Sequence, residues 1–246
     1  MKIRSTSNLN RYTARKSVLL AMVLCGALAG SALAQATATP GVLPPGSTPY
    51  GKSYGQWSAE WWKWALVLPV DGHPFVDSPD FDCDAGQTGH VWFLGAPLDP
   101  TERTCTIPAG KSVFFALLNA ECSDLEGLGT TEADQRDCAE FLANHISGLF
   151  CSIDGVPVKN LVAYGVQSPQ FTFTAPTPWI FGDTGGTGTS VSDGYLLMLA
   201  PLSRGAHTLR YGGSFHFSTA EGDPFNFDGS IDITYHLTVT QFHRGG

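Results

Sequence analysis

The clearest periodic signal in the chain lies near its C-terminus, where Ile231, Ile233, Tyr235, Leu237 and Val239 alternate with Asp232, Thr234, His236, Thr238 and Thr240. Side chains along a strand point to opposite faces in turn, so this period of two predicts a strand over 230–241 with one face in a core and one toward water. Shorter β-branched or aromatic runs predict further strands at 90–94, 103–107, 111–118, 152–153, 160–164, 170–174, 195–200 and 207–217, the last with a Gly-Gly break. Turns such as Pro108-Ala109-Gly110 separate them. Two segments carry a helical period instead. Trp57, Trp61 and Trp64 recur at i, i+4 and i+7 with Trp62 beside them, which predicts a helix from Tyr54 clamped onto a sheet by its tryptophans. Thr131 followed by Asp134 has the form of a capping box, and Cys138, Leu142 and Ile146 make an inward stripe, so a second helix is predicted over 131–147. Strands at turn-bounded intervals, without alternating helices, predict a mainly β fold. The expected architecture is a β-sandwich or jelly roll with an N-terminal Trp-rich helix and one inserted helix.

Composition narrows the class. Of 246 residues 43% are hydrophobic and only 15% charged, which excludes a disordered chain and a coiled coil. Lys2, Arg4, Arg11, Arg15 and Lys16 precede an apolar run from Val18 to about Ala29, followed by Ala32-Leu33-Ala34. This reads as a signal peptide over residues 1–34, cut after Ala34. A lipoprotein reading at Cys25 is disfavoured, because Leu24 stands where a small residue is needed. Residues 35–49 then read as an extended leader, with order beginning near Tyr54, and 50–246 as one domain, secreted or periplasmic. Cleavage leaves nine Lys+Arg against 22 acids, a net charge of −13. Such a surface repels phosphate backbones and anionic headgroups, so nucleic acid is not an expected partner, and no apolar run is long enough to span a bilayer.

The cysteines follow from export. Five remain after cleavage, and the expected pairs are Cys83 with Cys105 and Cys122 with Cys138, each closing a local loop. Cys151, flanked by Leu149 and Phe150, is left as a buried inert thiol. No C-x-x-C occurs, which removes the usual support for zinc or thioredoxin-like chemistry.

Three constellations could carry function. Asp80, Asp82 and Asp84 before Gly86 have the D-x-D-x-D-x-G spacing of a hard-cation loop, so Ca²⁺ is a possible ligand. An EF-hand loop, however, needs glycine and an acid where Ala85 and Val91 stand, and an acidic surface loop is the alternative. A hairpin around Thr219–Gly229 in symmetric register puts His216 opposite Asp232, with Ser214 and His236 on the same outward face. A hydroxyl, imidazoles and a carboxylate so placed could serve a hydrolase, although a polar outer sheet face has the same pattern. Trp92, Trp179 and Tyr195 are candidate stacking platforms for carbohydrate, the alternative being core filling. No G-x-S-x-G, H-E-x-x-H, P-loop or dinucleotide fingerprint is present, and Gly182–Gly188 reads as a flexible loop.

Segments Tyr54–Pro69, Gly89–Gly95, Arg103–Ser123, Ile153–Phe171 and Asp193–Ser214, with W-x3-W-W-x-W-A from Trp57 and C-T-I-P-A-G-K from Cys105, carry a further clue. Together they resemble an uncharacterised family of exported prokaryotic proteins, over nearly all of the mature chain. The resemblance implies that the Trp helix and the T-I-P-A-G-K turn belong to one domain. It favours pairing of Cys83 with Cys105, weakens the calcium reading, and offers no catalytic residue and no cofactor. The expectation is a non-catalytic extracytoplasmic binding module, with carbohydrate the first partner class. A secreted hydrolase using Ser214, His216, Asp232 and His236 is the runner-up, and a structural protein of the cell envelope is third.

Overall fold

The computed structural model describes residues 41–76, 78 and 81–241. The expected signal peptide and the first part of the expected leader lie outside the described residues. Among the described residues ten strands form two five-stranded sheets, with two α-helices. The fold is mainly β and sandwich-like, as the periodicities predict.

Helix α1 (Tyr54–Leu66) starts at a capping box, Ser53 accepting from the Gln56 N–H while the Gln56 side chain accepts from the Ser53 N–H. The first sheet runs β1 (Val91–Leu94), β3 (Ser112–Ser123), β8 (Gly186–Leu199) and β6 (Gly165–Gln167), with β7 (Phe171–Ala175) also on β8. The second runs β2 (Thr101–Pro108), β10 (Phe227–Thr240), β9 (Gly205–Phe217), β4 (Ile146–Ile153) and β5 (Val156–Pro157). Helix α2 (Glu132–Ala143) begins at the expected Thr131/Asp134 box and is tied to β3 by Cys122–Cys138, while Cys83–Cys105 ties the preceding loop to β2. Both disulfides are those expected.

The layers are α1, first sheet, second sheet. Phe114 packs against Tyr54 and Trp57 of α1, whereas its neighbour Phe115 lies 4.4 Å, ring to ring, from Tyr211 of the second sheet. Strand β3 is therefore covered on both faces and reads as a near-continuous apolar run, while β10, with one face outward, keeps the alternation. All four tryptophans of α1 are buried.

Four expectations are corrected. Residues 161–164 form a 3-10 helix, not a strand. Strand β8 begins at Gly186, inside the stretch read as a flexible loop. The Gly212-Gly213 pair does not break β9; a Cβ on Gly212 would collide with the Ile231 carbonyl and with Phe150, so the glycines let neighbouring strands and that ring close in on a continuous strand. Order also begins before Tyr54, within the stretch read as an extended leader, since Leu43 donates to the Met198 carbonyl at 2.8 Å and Ala200 to that of Gly41 at 2.9 Å.

Candidate functional site

The two sheets are not closed to the same length on every side. Strand β1 pairs with β3 only over Ser112–Phe115, and β2 pairs with β10 only over Ile233–Thr240. On those sides β3 from Ala116 and β10 up to Asp232 have no strand beside them among the described residues, although β8 and β9 continue on their other sides. Residues 95–100 cross from one sheet to the other at this point. A cavity of about 700 Å³ opens there and wraps the uncovered edge of β3. That volume lies within the range of small-molecule sites.

Its walls are aromatic and aliphatic. Trp61 and Trp62 of α1, with Phe75, face it from one side; Leu118, Ala120 and Leu142 form the floor; Phe215, Phe217 and Ile231 come from the second sheet. Val76, Leu98, Leu128, Phe181, Phe225 and Phe227 also line it and remain exposed, Phe181 at 44% and Phe227 at 41%. Large apolar side chains grouped around one opening mark an interaction site, whereas scattered ones do not.

A few polar groups are set into these walls. Glu121 is 5% exposed and faces the α1 side of the sheet, since its cross-strand partner Ser192 bonds Ser58 of α1. Its Oε2 accepts from the Ser190 hydroxyl, while its Oε1 is buried with no partner. Burial first, then a hydrogen bond with the adjacent Glu126 carboxyl and the charge of that group, push the Glu121 carboxyl well above the usual range and favour the neutral acid. Glu126 is itself held by Ser123, whose hydroxyl donates at 2.6 Å. Trp62 Nε1 and Asn119 Nδ2, both in the lining, are buried donors without a partner. Buried polar atoms are nearly always paired, so three unpaired ones around one cavity point to a ligand that pairs them.

Two devices hold the rim. Arg103 is buried and donates to the carbonyls of Pro74 at 2.7 Å, Val76 at 2.8 Å and Gly95 at 3.2 Å, with Phe81 under its guanidinium. His145 stacks on Phe217 and bonds Asp223 at 2.9 Å, and Asp223 accepts from the Ser218 N–H, which fixes the 218–226 loop carrying Phe225.

The residues singled out from sequence lie elsewhere. Strand β10 starts at Phe227, earlier than expected, and the hairpin register places His216 opposite Asp228 and Asp232 opposite Gly212. His216 pairs with Asp228 at 2.6 Å, Arg210 holds Asp232 at 2.8 and 2.9 Å, His236 pairs with Glu102 at 3.3 Å, and Ser214 faces Ser230. The hydrogen bond to Asp228 raises the His216 pKa and the one from Arg210 lowers that of Asp232. The expected hydrolase cluster is thus three separate pairs on an outer sheet face. Trp92 and Trp179 are buried, as are the other four tryptophans, and the half-buried Tyr195 packs over Gly165, so these three residues make no joint platform for a sugar ring. Asp82 turns back to accept from the Asp84 N–H at 2.9 Å, and Asp80 lies outside the described residues. Among the described residues no three His, Cys, Asp or Glu side chains converge on one point.

No family model and no curated protein matches this chain. Among solved structures, a cysteine protease inhibitor of Entamoeba histolytica, EhICP2, is similar to it at 12% identity with a TM-score of 0.20, over 56% of this chain and 87% of that one. Among the described residues no helix is long and apolar enough to cross a membrane.

The cavity residues had one sequence signal. Glu121 is the single acid in the run Ser112–Ser123, where it and Asn119 stand among apolar and small residues. A carboxyl there must be buried with its strand, and a buried carboxyl is a candidate functional group.

Proposed function

We propose that this protein is a non-catalytic extracytoplasmic binding module of the exported family it resembles, and that its ligand is a small amphipathic molecule. The apolar body of the ligand fills the cavity between Trp62, Leu118 and Phe217, and its polar end bonds Glu121, Asn119 and Trp62. The single observation that carries this reading is the buried Glu121 carboxyl with an unpaired oxygen in the wall of an apolar cavity of about 700 Å³. The two disulfides fit an oxidising compartment. Burial of every tryptophan moves the ligand class away from the carbohydrate first expected.

Titration with decanol, followed by tryptophan emission and thermal shift, tests it. Trp61 and Trp62 stand in the wall, so occupancy changes their emission, and a bound ligand raises Tm with concentration. Ala120→Phe places a ring in the cavity and abolishes both responses while the variant stays folded. Unchanged emission and Tm with decanol, or equal responses from the A120F variant, refute the reading.

A further inference from the structure

The charge of the cavity narrows the ligand beyond its amphipathic character, given that the cavity binds an amphiphile at all. Asp99, Glu121 and Glu126 line the cavity, and among the described residues no lysine, arginine or histidine does. Glu121 and Glu126 are adjacent acids with no cation between them: the buried base on the rim, Arg103, is committed to three carbonyl groups and the Phe81 ring. Asp223, in the loop that carries Phe225, has His145 and the Ser218 N–H, whereas the Glu121 carboxyl has a hydroxyl, Ser190, and a second acid, Glu126, but no cation. Trp61, Trp62, Phe75 and Phe181 line the same cavity, and aromatic rings attract a cation by their quadrupoles.

We propose that the cavity selects a monocationic amphiphile, an alkyl or aryl amine whose ammonium head sits against Glu121 and Glu126 while its apolar body lies among the aromatic side chains. An ammonium brought against the pair shifts Glu121 from the neutral acid to the carboxylate, whose Oε1 then accepts from the ammonium, and supplies the counter-charge of the pair. A carboxylate head of the same length meets two acids with no base beside them, so fatty-acid-like ligands are excluded by repulsion. A neutral alcohol fits the space and pairs one group but neutralises nothing. The net charge of the mature chain, −13, adds a weaker attraction at long range that salt screens.

The test is a three-ligand series of equal chain length, decylamine, decanol and decanoate, titrated below their micellar concentrations at 150 mM salt by calorimetry and tryptophan emission. Decylamine is expected to bind about tenfold or more tighter than decanol, and decanoate weakest of the three. In Glu121→Gln the ratio of amine to alcohol affinity falls severalfold; Glu126→Gln, at a more exposed position, lowers the same ratio and serves if the first variant folds poorly. Equal or tighter binding of decanol overturns the cation proposal and leaves the amphiphile reading standing. An amine preference unchanged in both variants also overturns it, because the attraction is then that of the whole surface. Failure of all three ligands to bind removes the cavity reading itself.

Discussion

Arg103 on β2 donates from Nη2 to the carbonyl of Val76 at 2.8 Å, so a charge buried under the second sheet holds one wall of the cavity in place. The same guanidinium bonds Pro74, and a buried Arg satisfied by carbonyls serves here as a strut for irregular backbone. Replacing Arg103 with Met leaves the carbonyls of Pro74 and Val76 without a donor. A loss of about 3 kcal/mol is expected in urea unfolding, since each orphaned buried acceptor costs about 1–3 kcal/mol. Arg103→Lys keeps the charge but not the fork, and is expected to recover only part of it. Wild-type stability in the Met variant would show that the strut is idle.

Glu121 gives the fold a pH dependence of defined sign. Its folded pKa is raised, so the folded state holds the proton more tightly than the unfolded chain. The stability it contributes is fully present below the ordinary carboxylate pKa near 4.3 and is lost as pH rises through the raised value. Glu121→Gln cannot titrate, so the Tm difference, wild type minus variant, is expected to shrink as pH rises above about 4.3. The buried His73, whose pKa burial lowers, changes stability in the opposite direction, but it is common to both proteins and cancels. Parallel Tm profiles would contradict the assignment.

Cys151 is buried in β4 and its thiol is pushed up to about 12 by desolvation. Reaction follows the thiolate, so iodoacetamide at pH 8 is expected to leave the native, unreduced protein unmodified and to label one cysteine after unfolding in urea. Rapid labelling of the native protein would place the thiol at the surface.

Much of the framework was legible because it is written locally. The alternation in β10, the tryptophan spacing of α1 and the Thr131/Asp134 cap each depend on neighbours in sequence, and both disulfides close loops of 22 and 16 residues. The hairpin chemistry was not legible, because a register is set by where the turn ends. Phe227, three residues ahead of the expected start, pairs with Phe217 and disperses Ser214, His216 and Asp232. The cavity was not legible either, since it arises where β1 and β2 stop short, a property of strand lengths in two different sheets. Glu121 could have been noticed; that Trp62, Leu128 and Phe225 share its space depends on contacts that no local pattern records.

Cys122 follows Glu121 directly, and Cys105 stands two residues beyond Arg103, so each crosslink anchors the strand segment that carries one key residue of the pocket. Reduction would release α2 from the acid and the 81–89 loop from the arginine together. Retention of the proposed guest is thereby expected only where thiols are kept oxidised, and release is expected on transfer to a reducing space.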